Sequence, residues 1–195
     1  MGIDTQVFKP TLNKLEQKKK IGLENYTVIG YCGRISKEKD IPTLHKAFLR
    51  LKNKHNLFLL IVGWGSKHNI SIFKPLEDIK ITGFLNDILP YLQAMDIFVL
   101  PSLTETSSLA TMEAMACGLP VIATKVGYVK EYIIDKENGL FFPKNNDLVL
   151  SLKLEQLLKN KKLREKLGNN ARKTALEKFS WDKTAEKIVK ALSTF

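Results

Sequence analysis

The chain has 195 residues, with 31 Lys+Arg against 20 Asp+Glu, 44% apolar residues and two cysteines. That length suits one α/β domain and is short for two independent cores. A charged content of 26% beside that apolar fraction excludes intrinsic disorder, and the longest aliphatic and aromatic run, Leu57–Val62, is far too short to cross a bilayer. The first ten residues carry no basic stretch ahead of an apolar one, so no signal peptide is expected. Cys32 and Cys117 show neither close pairing nor metal-ligand spacing, which fits reduced thiols in the cytoplasm. The formal charge of +11 is uneven: residues 1–60 and 151–195 each balance to +7, and residues 61–150 to −3. The lysines are not interleaved with aromatics, so no nucleic-acid partner is expected. A solvated lysine-rich surface and an attraction to anionic membrane headgroups both remain open.

In chain order, Tyr26–Cys32 (YTVIGYC) reads as a strand ending at Gly33. Ile41–Lys52 has apolar residues at 41, 44, 47, 48 and 51, one face of a helix, with Pro42 in its first turn. Asn56–Val62 is a buried strand closed by Gly63-Trp64-Gly65. Ile79–Thr82 is a short strand before Gly83, followed by a helix over Asp87–Ala94. Asp96–Leu100 is a strand stopped by Pro101. A helix over Ser107–Cys117 ends at Gly118, Pro120–Ala123 opens a further strand, Gly127–Ile133 is a short helix and Gly139–Phe142 a last strand. Helices follow over Asp147–Lys159 and Lys161–Lys178, then from Ser180 onward. Strands alternating with helices, and too apolar to have a wet face, predict a doubly wound, Rossmann-like parallel α/β sheet with helices on both faces and a helical C-terminal segment. Ligands of such sheets sit beyond the carboxyl ends of the strands, where Gly33, Gly63, Gly65 and Gly83 fall.

Between Thr106 and Thr124 the single formal charge is Glu113, in a helix apolar nearly all round and therefore expected to be buried. A carboxylate there is costly unless it is paired. It forms a structural ion pair, lies where the helix end opens to solvent, or is an acceptor held for ligand hydroxyls. Glu105 lies in the loop after Pro101, and Thr106, Ser107 and Ser108 precede the helix, either as plain N-caps or beside an anion site of backbone N–H groups. Arg34 and Lys39, in the loop GRISKEKD, suit a diphosphate as a planar fork plus a point charge; the alternative is a solvated loop neutralised by Glu38 and Asp40. Gly63-Trp64-Gly65 and Thr82-Gly83-Phe84 are turns that permit a ligand's close approach. The fingerprint G-x-G-x-x-G, a P-loop, G-x-S-x-G and histidine pairs at metal spacing are all absent from the sequence.

The ordered set resembles the C-terminal, donor-binding half of GT-B fold glycosyltransferases, specifically glycosyltransferase family 4, the group 1 retaining transferases. The likeness runs from Gly2-Ile3-Asp4 and Phe8-Lys9-Pro10 through Gly33-Arg34…Lys39, Gly63-Trp64-Gly65, Thr82-Gly83 and Asp96–Ser102. It continues over Glu105-x7-Glu113 with Ala114–Ala123, then Asn138-Gly139-Leu140 and Phe179-Ser180-Trp181. The resemblance implies that Arg34 and Lys39 hold the donor diphosphate in place of a metal ion, with no cofactor. It implies that Glu113 accepts the ribose hydroxyls, that Glu105 contacts the donor sugar, and that Ser107, Ser108 and Leu109 meet phosphate and sugar through their N–H groups. Gly33, Gly63, Gly83, Phe84 and Thr106 would border the nucleotide sugar, a UDP-hexose by family frequency. The family's commonest Gly-Phe-Gly after the first Glu is here Thr106-Ser107-Ser108, and Asp40 stands where a glycine is usual. Thr-containing variants imply a glycolipid acceptor beside a glycan. Residues 1–20 are expected as an inter-domain linker and lead-in, residues 180–195 as the crossover helix, and the N-terminal acceptor domain as missing, so that this half binds donor but transfers poorly alone. The apolar face of the last helix implies a homodimer. Rival readings are a nucleotide-sugar sensor without turnover and a basic surface-interaction domain.

Overall fold

The computed structural model describes residues 2–71, 73 and 77–193; residue 1 of the lead-in and residues 194 and 195 of the crossover segment lie outside them. Six parallel strands, β1 (Thr27–Cys32), β2 (Leu57–Val62), β3 (Ile79–Ile81), β4 (Ile97–Leu100), β5 (Val121–Thr124) and β6 (Leu140–Phe142), form one sheet in the order β3-β2-β1-β4-β5-β6. The helices are α1 (Lys14–Lys20), α2 (Ile41–Leu51), α3 (Lys67–Ile70), α4 (Leu89–Ala94), α5 (Leu109–Ala116), α6 (Val129–Tyr132), α7 (Asp147–Lys159), α8 (Lys161–Phe179) and α9 (Trp181–Leu192). The doubly wound α/β expectation therefore holds.

Alternate strand residues feed two cores. Val28, Leu60, Phe98 and Val121 face a layer that includes α5 and α8, whereas Ile29, Leu59, Val99 and Ile122 face α2 and α7. All six residues of β2 are buried, because a central parallel strand is covered on both sides. Each large aliphatic side chain buried in this way contributes about 1.5–3 kcal/mol. α9 is different: Trp181, Ile188, Val189 and Leu192 are exposed along its length. No described helix is long and apolar enough to cross a membrane.

Several helices start later than expected. α4 begins at Leu89, whose N–H is accepted by Asp87 Oδ1. α5 begins at Leu109 because Ser108 is left-handed, with φ +57°. α6 spans only Val129–Tyr132 because Gly127 is also left-handed. The lead-in is packed against the domain. Ile3 bridges Ser180, and the Arg172 guanidinium donates to the carbonyls of Thr5, Phe8 and Ala116. Lys18, a buried cation, donates to Asp96 and to the Tyr26 carbonyl.

The strand order reverses between β1 and β4, its two directions of winding parting there. The loops leaving these two strands therefore diverge and open a crevice at the carboxyl edge, where ligands of such sheets lodge.

Candidate functional site

The loop after β1 carries Arg34 and Lys39. It is held from the side by main-chain bonds from Gly33 to Val62 and from Ile35 to Trp64, and from below by the Tyr31 hydroxyl, which donates to the Arg34 carbonyl at 2.8 Å. Burial raises the pKa of that phenol above its ordinary value, and the nearby Glu105 charge raises it further. It therefore stays a donor at neutral pH. Gly63 has φ +151°, and a Cβ there would stand 1.9 Å from the Gly33 carbonyl oxygen. The close approach expected of a ligand at Gly63 is thus made by the chain itself. Burial lifts the Cys32 thiol to about 12, so it is inert and remains a packing residue.

The loop after β4 carries Glu105, and its Oε1 accepts from Lys39 Nζ at 2.6 Å and from Ser102 Oγ at 2.8 Å. Both charged side chains are largely covered, with 19% and 8% exposed. Arg34 is 63% exposed and lies 3.5 Å from Glu38; of the two neighbours weighed for the loop cations, only Glu38 is used. The two loops are tied by the Leu103 N–H donating to the Glu38 carbonyl at 2.8 Å.

Behind Glu105 stands a support that the sequence did not reveal. Gly127, at φ +46°, lies so close that a Cβ would be 1.8 Å from the Glu105 carbonyl oxygen. Tyr128 N–H donates to the Thr106 carbonyl at 2.8 Å. The buried Tyr132 hydroxyl donates to the Ser107 carbonyl at 2.9 Å, and Thr124 Oγ1 donates to the Ser102 carbonyl. In sequence, Gly127 is one turn glycine among many, and no local pattern says which backbone it touches.

Ser108 does not cap α5 with its side chain. Its Oγ pairs with Thr111 Oγ1 at 2.7 Å, which leaves the first-turn N–H groups of an eight-residue helix facing the crevice. Glu113 corrects the burial expectation. The helix is buried at Thr111, Met112, Ala114, Met115 and Ala116, but Leu109, Ala110 and Glu113 lie on its open side, as i, i+1 and i+4 spacing requires. Glu113 is half-buried, and no Lys or Arg pairs with it among the described residues. Desolvation raises its pKa above the ordinary carboxylate value, so the structural ion pair weighed above is not formed.

A cavity of about 340 Å³ joins these parts, lined by Gly33, Arg34, Lys39, Glu105 and residues 106–110. Glu113, one turn beyond Leu109 on the same helix face, is not among the residues that line it. Gly63, Gly83 and Phe84 fall outside this cavity; Phe84 is 72% exposed at the end of β3, two strands from β1. Among the described residues no three His, Cys, Asp or Glu side chains are grouped as a metal would need. The arrangement offers two cations and helix N–H groups for an anion, with carboxylate acceptors beside them for hydroxyls.

The family Glycosyl transferases group 1 matches residues 13–174. The capsular polysaccharide biosynthesis glycosyltransferase CapM of Staphylococcus aureus is 30% identical over 201 residues, covering 100% of this chain and 53% of that protein. The crystal structure of the C-terminal domain of a glycosyl transferase group 1 family protein (LpcC) from Francisella tularensis superposes with a TM-score of 0.84 at 31% identity, over 92% of this chain and 100% of that one. Anabaena Alr3699/HepE in complex with UDP-glucose shares the fold, with a TM-score of 0.88 at 22% identity, over 100% of this chain and 56% of that one. The chain spans about half the length of the curated relatives it matches.

Proposed function

The chain belongs to the group 1 glycosyl transferases, and from that premise we propose that it is the donor-binding half of a retaining, metal-independent transferase that passes a hexose from UDP to a glycan or glycolipid acceptor. The observation that carries this reading is the convergence of Arg34, Lys39, Glu105 and the open end of α5 on one cavity. The Arg34 fork and the Lys39 ammonium take the diphosphate and the charge that grows on it as the glycosidic bond breaks, the part a metal ion plays elsewhere. The N–H groups at residues 107–109 add fixed dipoles aimed at the same oxygens. Glu105 receives sugar hydroxyls and Glu113 the ribose hydroxyls, each as an acceptor-only group. The acceptor attacks from the face the nucleotide leaves, so the anomeric configuration is kept. Phe84, exposed after β3 and outside the cavity, is the ring this reading gives to the base.

A nucleotide sugar is supported further by the UDP-glucose complex of Anabaena HepE, whose fold this chain shares. The exposed apolar face of α9 is the surface this reading gives to the acceptor half, or to a second copy when the chain is alone. Free, buried Cys32 and Cys117 suit a cytoplasmic working place, and the lysine-rich flanks suit the anionic inner face of a membrane.

Calorimetry with UDP-glucose and GDP-mannose tests the donor. UDP-glucose is expected to bind, and Arg34→Ala to weaken it by about tenfold or more without loss of fold. If neither donor nor free UDP or GDP bound at about millimolar concentration, the reading would be lost. Restoring an acceptor half and detecting transfer separates an enzyme from a sensor.

A further inference from the structure

Two buried tyrosines reach the loops of the cavity, and each donates to a backbone carbonyl. The Tyr31 hydroxyl meets the Arg34 carbonyl at 2.8 Å, and the Tyr132 hydroxyl meets the Ser107 carbonyl at 2.9 Å. Burial raises the pKa of both phenols above the ordinary value, so both stay donors at neutral pH.

In a trans peptide the carbonyl and the next residue's N–H share one plane and point in opposite directions. Fixing the Arg34 carbonyl therefore also aims the Ile35 N–H, which the Trp64 carbonyl receives at 2.7 Å. By the same rule the Tyr132 hydroxyl, holding the Ser107 carbonyl on the α6 side, turns the Ser108 N–H away from α6. Ser107 and Ser108 line the cavity and no residue of α6 does, so this N–H is directed to the cavity side. Among the described residues nothing in the protein accepts it. The peptide unit set by Tyr31 is closed within the fold, whereas the one set by Tyr132 is open.

The brace is anchored independently of the loop it holds. The Tyr132 ring packs edge-on against Tyr128 and Phe179, with centroids 5.8 and 5.1 Å away. Its carbonyl accepts from the buried Asn138 amide at 2.8 Å. Ser108, by contrast, is left-handed at φ +57°, a backbone that is costly for a non-glycine residue without local support. Its Oγ lies 2.7 Å from Thr111 Oγ1, so this turn is fixed by α5 at the side chain and by α6 at the peptide before it.

We infer, on the donor reading proposed for this cavity, that Tyr132 is a positioning residue for the diphosphate. Its hydroxyl touches no ligand; it sets the Ser107–Ser108 peptide so that the Ser108 N–H is aimed at a phosphate oxygen before the donor arrives. A donor group held ready in this way adds affinity because nothing has to be reoriented on binding. The gain is confined to the phosphates, since a bare nucleoside lacks the oxygens that this N–H serves.

Tyr132→Phe removes only the hydroxyl and keeps the ring and its packing. The full chain and this variant are titrated with UDP and with uridine, by calorimetry and through the Ser108 amide in NMR. UDP is expected to bind about tenfold more weakly to the variant, with uridine changed by less than about twofold. In the parent, the Ser108 amide should move with UDP and stay still with uridine. Equal losses for UDP and uridine would mark a general structural role and overturn the assignment. So would unaltered UDP affinity in the variant, or a parent Ser108 amide indifferent to bound UDP, a result read without any variant. These outcomes leave the donor reading intact, whereas UDP failing to bind the parent chain overturns that reading and this inference together.

Discussion

Lys39 Nζ and Glu105 Oε1 are 2.6 Å apart, so the cation read as a phosphate ligand and the carboxylate read as a sugar ligand neutralise each other before any donor arrives. On the proposed reading, a donor would exchange these partners, Lys39 turning to phosphate and Glu105, still held by Ser102, to hydroxyls. The pair keeps both charges desolvated yet satisfied in the empty cavity.

Removing one member should therefore damage the fold as well as the site. Lys39→Ala leaves Glu105 covered and uncompensated, and is expected to lower stability by about 3 kcal/mol along with donor affinity. Lys39→Ala combined with Glu105→Gln should regain most of the stability and none of the affinity. Urea denaturation and calorimetry on the same three proteins check both halves.

Arg34 should behave differently. Its contact with Glu38 is solvent-exposed, and such pairs contribute about 0–1 kcal/mol. Arg34→Ala is expected to leave the melting temperature within about 2 °C while donor binding weakens and loses part of its salt dependence. A large fall in stability would show that Arg34 is structural.

Glu113 carries a pH signature. Its folded-state pKa is raised by burial above the ordinary value of 4.5, so the folded chain holds that proton more tightly than the unfolded one. Stability from this group is complete below the ordinary value and declines as pH rises through the raised one. Glu113→Gln should flatten that decline, melt higher than the parent at neutral pH, and bind nucleotide less well. Melting curves collected from acid to neutral pH, paired with calorimetry, separate the two effects.

Gly127 and Gly83 are both left-handed, yet substitution should rank them far apart. At Gly127 a Cβ would meet the Glu105 carbonyl at 1.8 Å, whereas at Gly83 nothing lies within 4 Å. Gly83→Ala should cost only the left-handed backbone penalty, about 1–2 kcal/mol. Gly127→Ala should cost more than that and displace Glu105, reducing donor affinity although the residue touches no ligand. Denaturation and binding measured on both variants decide it.

Much of this fold could be read from the chain because burial on both faces leaves an unbroken apolar record. Leu57–Val62 and Val121–Ala123 are examples, each closed by glycine, proline or threonine. The same holds for the loop residues Arg34, Lys39, Glu105 and Ser108, whose position at strand ends follows from the α/β alternation. What escaped was non-local. KLEQKKK at 14–20 reads as a solvated lysine-rich face, yet its Lys18 is buried and reaches Asp96, 78 residues away. Glu113 was expected to be enclosed because the helix around it is apolar, and only the packing against β4, β5 and α8 shows which side stays open. Gly63 carries the right conformation for a ligand's approach, but the neighbouring loop occupies that space.

The bonds from Thr124, Tyr128 and Tyr132, and the close approach of Gly127, all meet the 102–108 loop at its backbone carbonyls. Carbonyl contacts are indifferent to side-chain identity, so the side chains at 106 and 107 can be exchanged without disturbing what braces them, whereas Ser108 is restricted by its left-handed backbone. Selection for a new sugar could then rewrite these few positions one at a time, while the scaffold beneath stayed unaltered.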